Sequence, residues 1–205
     1  MSYYQKSIQK ITITKILEQM ENTFCKIEGK DTIGYFCYFN YQNKNIPAII
    51  INDDINISEN KTINVSINNV NKIIKLGDKI YRNKENKISI IEIKENKKDK
   101  IKFLEFDDLL YEKEPEMLYH KELIYIIQYI NQDDIFVSYS SINDINKNEI
   151  IYNCDIKTEA KYSLIFNLSN NKLIGIHKCT FNNYNKGKIF NFIINGFKYK
   201  IKNIK

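Results

Sequence analysis

"NCDIKTEAKYSLIFNLSNNKLIGIHKC", residues 153–179, holds the strongest indication of the fold. Its second half, "SLIFNLSNNKLIGIHK", predicts two buried strands joined by a turn, because two short apolar runs flank an Asn-rich break. Its first half contains neither glycine nor proline. The segment therefore predicts two strands. The loop before them lacks the glycine and proline that are common in tight turns.

Short strands of this kind recur along the whole chain. The first series is "TFCKIE", "GYFCYFNY", "IPAIIIN", "KTINVSIN", "NKIIKL" and "ISIIEIK". After the polar break "KENKKDKIK" (94–102) and the segment "FLEFDDLLYEKEPEM", the second series is "ELIYIIQYI", "DIFVSYSSI", "EIIYNCDI", "YSLIFNL", "KLIGIHKC" and "KIFNFIING". Roughly a dozen strands in two sets predict an all-β protein of two packed, six-stranded antiparallel barrels.

Length and charge fit this architecture. The chain has 205 residues, and residues 7–21 show apolar spacing that predicts a short N-terminal helix. We expect a helical extension at 1–21, a first barrel at 22–100, a second barrel at 101–196 and a basic tail at 197–205.

The net charge of the chain is +6. The Lys-rich run at 94–102 and the tail are a solvated loop and tail or, as an alternative, contacts for nucleic acid.

Cysteine and histidine usage argues against a metal site. The four cysteines lack C-x-x-C spacing and the two histidines, His120 and His177, are far apart in sequence. No run is long and apolar enough to predict a membrane span, and the first residues do not have a signal-peptide pattern. We expect an intracellular, cytoplasmic protein with reduced thiols and no cofactor.

The ordered series of segments resembles the trypsin-like serine proteases of the chymotrypsin fold. The segments that carry the likeness are "IGYFCYF", "IPAIIINDDI", "ISIIEIK", "LIYIIQY" and "SLIFNLSNNKLIGIHK". The likeness covers about residues 22–180 and is greatest to a compact intracellular type associated with protists and large DNA viruses. The resemblance implies two barrels with a catalytic Ser-His-Asp triad at their junction.

The functional positions of that family carry other residues here. Asp54 stands at the catalytic histidine, Lys87 at the aspartate and Lys161 at the nucleophilic serine. Glu159 stands at a glycine of the oxyanion hole, and Tyr162 at the glycine that follows the nucleophile. The resemblance therefore implies a degenerate triad, and it implies that Asp54, Lys87 and Lys161 converge as a charge cluster at the seam between the barrels.

These residues cannot perform acyl transfer by the triad mechanism. That chemistry needs a hydroxyl, an imidazole that takes its proton and a carboxylate that orients the imidazole. Asp54, with an ordinary pKa of about 3.9, is a poor base near neutrality, and Lys161 is an ammonium. A carboxylate at Glu159 would repel a developing oxyanion. We favour a structural role for Ser163 over a Ser–Lys pair with Lys161, and for Cys154 the role of a small buried hydrophobe.

The resemblance places Gly175, Ile176 and His177 on the strand that lines the cleft. We therefore predict a non-catalytic homologue that binds a protein partner, host or viral, by strand addition there, and a component of a virus particle is one version of this role. One alternative is a repurposed, metal-free enzyme that cleaves cyclic dinucleotides, by analogy with the poxins of the same fold class. Another is RNA binding through the basic loop and tail.

Overall fold

The structure, a computed structural model, describes residues 10–30, 32–42, 44–52, 61–94, 101–112, 114–130, 134–157, 163–181 and 183–203. It confirms the predicted all-β fold, in which two six-stranded antiparallel barrels follow a short N-terminal helix. Three of the predicted site residues, Asp54, Glu159 and Lys161, lie outside the described residues.

The first barrel contains six strands in the order β1-β4-β5-β6-β3-β2, and pairing of β1 with β2 closes it. A two-residue strand, β7, adds to β2 in the parallel direction. The bounds are β1 Phe24–Ile27, β2 Ile33–Tyr41, β3 Lys44–Ile51, β4 Thr62–Ile67, β5 Val70–Asn83, β6 Ile88–Ile93 and β7 Leu104–Glu105.

The second barrel is closed in the order β10-β13-β12-β11-β8-β9. A 3₁₀ turn at Asp108–Tyr111 and the one-turn helix α2, Pro115–Leu118, precede it. The bounds are β8 Leu123–Tyr129, β9 Ile135–Asn146, β10 Glu149–Tyr152, β11 Leu164–Asn167, β12 Leu173–Thr180 and β13 Asn185–Ile189.

Strand β3 shows why the apolar runs are continuous rather than alternating. Successive side chains of a strand point to opposite faces. Ile49 and Ile51 pack inside the first barrel, whereas Ala48 and Ile50 belong to the larger cluster that extends into the second barrel. Both faces of β3 are therefore covered, which explains why "AIII" is entirely buried.

The N-terminal helix α1, Lys10–Asn22, connects the two barrels. Ile16 is buried. The end of the helix forms hydrogen bonds with the second barrel, although the helix precedes the first. Gln19 donates through Nε2 to the carbonyl of Asn171 at 2.7 Å and accepts the hydroxyl of Tyr125 at 2.6 Å. Tyr129 donates to the carbonyl of Met20 at 3.2 Å. The helix, which leads into β1 of the first barrel, is thus held against the second.

The C-terminal segment differs from the sequence prediction. The sequence predicts a strand at "KIFNFIING" and a basic tail at 197–205. Instead, β13 ends at Ile189, and Asn191–Asn203 form the helix α3. Ile193, Ile194 and Phe197 are buried at helical spacing, and this stripe outweighs the lysines that follow it at 198, 200 and 202. Within the described residues, we find no helix with the length and apolar character needed to cross a membrane.

Candidate functional site

One of the predicted triad-equivalent residues, Lys87, is among the residues that the structure describes. Lys87 lies in the turn between β5 and β6, where its φ is 51° and its side chain is exposed. Because Asp54 and Lys161 lie outside the described residues, the charge cluster that we predicted for these three side chains stays a prediction. Lys87 itself lies on the exposed surface of the turn between β5 and β6.

Asn86, the residue before Lys87, is the side chain that crosses the seam. It is buried, with 6% of its surface exposed. Its Nδ2 donates to Oδ1 of Asn83 at 2.9 Å, which orients the amide so that Oδ1 faces the second barrel. That oxygen accepts from Nζ of Lys178 at 3.1 Å and from Nζ of Lys188 at 3.2 Å. Two ammonium groups of the second barrel therefore converge on one neutral oxygen of the first.

The predicted docking residues Gly175 and Ile176 are part of the closed barrel wall. Each pairs with β11 on one side, through Ile165 and Leu164, and with β13 on the other. A Cβ at Gly175 would lie 2.5 Å from the carbonyl oxygen of Lys188, so no other chain fits between these strands. The prediction that a partner strand pairs with Gly175 and Ile176 is therefore corrected, because their backbone groups are already used.

Beyond His177, the described residues show β12 paired on the β13 side, through Cys179 and Thr180. The amide of His177 donates to the carbonyl of Ser163 at 2.7 Å, and this is the last contact of β12 with the β11 side among the described residues. Lys178, Cys179 and Thr180 are exposed.

His177 is buried, with 4% of its surface exposed, in a chain of hydrogen bonds whose directions can be worked out. Asn185 donates through Nδ2 to the carbonyl of Cys154 at 2.8 Å, so its Oδ1 faces Thr180 and accepts that hydroxyl proton at 2.8 Å. The oxygen of Thr180 can then only accept, from Nε2 of His177 at 3.4 Å. A neutral imidazole has one N–H, so Nδ1 holds the lone pair and accepts from the Tyr152 hydroxyl at 2.7 Å.

Burial controls the titration of these groups. It lowers the pKa of His177 from 6.5 to about 4, because the imidazolium would lose its hydration in the buried site. Burial likewise raises the pKa of the Tyr152 phenol, which keeps the hydroxyl protonated as a donor. His177 is therefore neutral at pH 7, and its lone pair is occupied by Tyr152.

Two candidate nucleophiles, Cys154 and Ser163, lie close to β12 in the described part of the chain. Burial, with a smaller effect of Asp155, raises the pKa of the Cys154 thiol to about 12, so it is not a thiolate at neutral pH. The half-buried position of Cys154 agrees with the small hydrophobe that we predicted. Ser163 is buried immediately before β11. Among the described residues, no group of three or more His, Cys, Asp or Glu side chains is placed to hold a metal ion.

Sequence reasoning missed the residues that meet at the seam. The contacts of Asn86 with Lys178 and Lys188 join positions 92 and 102 residues apart. Nothing in a single sequence links such positions. In a chain with 31 lysines and arginines, two more lysines carry little signal. The one signal in the sequence is that Lys178 directly follows His177.

Comparison with solved structures supports the fold. A structure titled "Structure of Glu endopeptidase in complex with MPD" matches with a TM-score of 0.58 and 12% identity, over 89% of this chain and 91% of that one. The crystal structure of Deg5 matches with a TM-score of 0.57 and 10% identity, over 93% of this chain and 95% of that one. No protein-family model and no curated protein matches the sequence. The chain therefore has the chymotrypsin fold of trypsin-like serine proteases.

Proposed function

We propose that the chain is a catalytically inactive homologue of the trypsin-like proteases and acts as a protein-binding or structural module. The observation that carries this proposal is the state of its imidazoles. The chain has two histidines, and both lie in the part that the structure describes. Because the triad mechanism needs an imidazole that takes a proton from a hydroxyl, these two side chains decide whether it can operate.

Neither histidine suits the role of a general base. His177 has a pKa of about 4, and its lone pair on Nδ1 accepts the Tyr152 hydroxyl. The hydroxyl nearest to its other nitrogen, that of Thr180, already donates to Asn185. His120 is exposed in the turn before β8. A serine attack that needs its proton removed has no base in either position.

The residues at the family's triad positions support the same proposal. Asp54, Lys87 and Lys161 replace the imidazole, the carboxylate and the hydroxyl, and Glu159 adds a negative charge where an oxyanion would form. The two barrels and their cores are nevertheless complete. A fold that keeps its packing but not its reactive groups is suited to binding.

The binding surface that we propose is the edge of β12 at Lys178–Thr180. Exposed strand edges offer unpaired N–H and C=O groups to an extended segment of another protein. This edge follows directly after the buried part of β12, so a docked segment would be anchored against a rigid barrel. A protein partner, from the host or from a virus, would contribute that segment.

Labelling with a fluorophosphonate probe tests the inactive state. The probe reacts with activated serines, and we expect no labelling of this chain at pH 7 or 8 under conditions in which trypsin labels completely. A heat-unfolded sample measures background reaction. Stoichiometric labelling of Ser163 in the folded protein would overturn the proposal.

A further inference from the structure

We infer that the partner segment is acidic, and that a carboxylate side chain of it binds between Lys178 and Lys188. This inference rests on the proposed function and names the chemistry of the partner. It starts from the two ammonium groups, each of which donates to Oδ1 of Asn86. One neutral oxygen satisfies one N–H of each group and none of their charge.

The two lysines have hydrogen-bonding capacity left over. An ammonium group has three donors, so Lys178 and Lys188 each keep two beyond the bond to Asn86. Glu85 forms an ion pair with Lys188 at 3.7 Å, which is beyond hydrogen-bond distance, and its side chain is 81% exposed, so solvent screens this pair. Nζ of Lys188 also lies 4.6 Å from the centre of the Phe192 ring. A second carboxylate is therefore the ligand that would complete this pair.

A β-bulge aims Lys178 at the seam. His177 is opposite Gly187 and Cys179 is opposite Lys186, so Lys178 is the extra residue of β12. Bulges redirect side chains and are frequent beside functional sites. Here the bulge brings an exposed lysine to Asn86 and next to Lys188, whose side chain is 15% exposed. The ammonium group of Lys178 is therefore accessible to solvent. That of Lys188 is partly buried, where its charge is less screened.

The surroundings suit an extended peptide rather than a free anion. The exposed residues Lys178–Thr180 follow directly after the buried part of β12, so pairing of an extended segment there would bring a carboxylate to the lysines. At the end of this edge, Phe181 and Tyr184 are exposed and stack with ring centres 4.8 Å apart. An acidic residue flanked by apolar residues would contact both features.

Two fluorescein-labelled peptides with blocked ends test the inference. Both contain the strand-forming sequence Val-Thr-Val on either side of a central residue, which is glutamate in one and glutamine in the other. We expect the glutamate peptide to bind the wild-type chain at least about fivefold more tightly in fluorescence polarisation, because it gains a charge-assisted contact. Raising NaCl from 50 to 300 mM should remove most of that preference.

Variants localise the effect. K178Q/K188Q should bind both peptides equally. N86D should also lose the preference, because its own carboxylate would occupy the two ammonium groups. K75Q, which removes an exposed strand lysine of the first barrel, should keep it. Far-ultraviolet circular dichroism and thermal melting confirm that each variant is folded.

The outcomes separate the inference from the proposed function. Equal binding of the two peptides by the wild-type chain, or a preference that survives in K178Q/K188Q, would overturn the acidic partner and leave the binding module standing. If neither peptide binds at millimolar concentration, strand addition at this edge and the acidic partner both fail, whereas the inactive state is decided separately by the fluorophosphonate labelling.

Discussion

The hydroxyl of Tyr152 donates to Nδ1 of His177 across 2.7 Å, so the imidazole lone pair faces a buried phenol instead of a substrate. This relationship is opposite to the one in a working triad, where the lone pair of the base faces the nucleophile. It makes His177 a structural group of the second barrel, and the consequences can be measured.

Replacing Tyr152 with phenylalanine should destabilise the fold by about 1–3 kcal/mol, because Nδ1 of His177 then stays buried without a donor. The matched control is Tyr139→Phe, which removes the hydroxyl of an exposed tyrosine and should change the free energy of unfolding by less than about 0.5 kcal/mol. Urea unfolding measures both. Equal losses would contradict the hydrogen bond.

The tautomer of His177 can be observed by ¹⁵N NMR. We expect Nε2 to carry the proton and Nδ1 to be unprotonated at pH 7, because Thr180 has no proton left to donate. In Tyr152→Phe the Nδ1 resonance should shift as its hydrogen bond is lost, while that of Nε2 should change little. A proton on Nδ1 in the wild-type chain would refute the directions assigned here.

Acid should destabilise the fold through His177. Its pKa is about 4 in the folded chain and 6.5 when unfolded, so the unfolded state binds the proton more tightly. The stability contribution is complete above pH 6.5 and is lost as the pH falls toward 4, which amounts to about 2 kcal/mol between pH 7 and pH 4.5. His177→Gln has no such titration, and its stability should fall less over that range. Parallel pH profiles of wild type and variant would refute the lowered pKa.

Gly175→Ala tests the tight contact of β12 with β13. Its Cβ would lie 2.5 Å from the backbone oxygen of Lys188, which cannot move without opening the barrel, and we expect a loss of about 2 kcal/mol or more. In Gly34→Ala the nearest atom is Cδ1 of Ile49 at 2.7 Å, the end of a side chain that can rotate. Thermal unfolding should show the smaller loss for Gly34→Ala; the reverse order would contradict the closed wall at Gly175.

Helix α3 should stabilise the packing between the two barrels. Phe197 is fully buried, with its ring centre 4.6 Å from that of Phe39 in the first barrel. Phe197→Ala should cost about 3–5 kcal/mol, whereas Lys202→Ala, on the exposed side of the helix, should cost less than about 0.5 kcal/mol. If both variants unfold at the same urea concentration, residues 197–203 act as the solvated tail that the sequence suggested.

The local apolar pattern was enough to predict the barrels, because segments such as "LIYIIQY" and "PAIII" are apolar along most of their length and so indicate buried strands by themselves. It failed at α3, where "KIF" continues a strand and "NFIINGF" begins a helix without a glycine or proline between them. It also failed at the seam. That Asn86 rather than Lys87 faces the second barrel depends on how the turn between β5 and β6 packs, and this packing involves residues of another barrel.

The distinction between binding and turnover is tested most directly by mass spectrometry of one peptide library incubated with the folded chain. The account predicts that acidic, strand-forming peptides are retained on the protein and recovered intact, with no new termini after prolonged incubation. Peptides recovered as two fragments with a common cleavage specificity, in a sample free of contaminating protease, would show that the chain is an enzyme and would contradict the account.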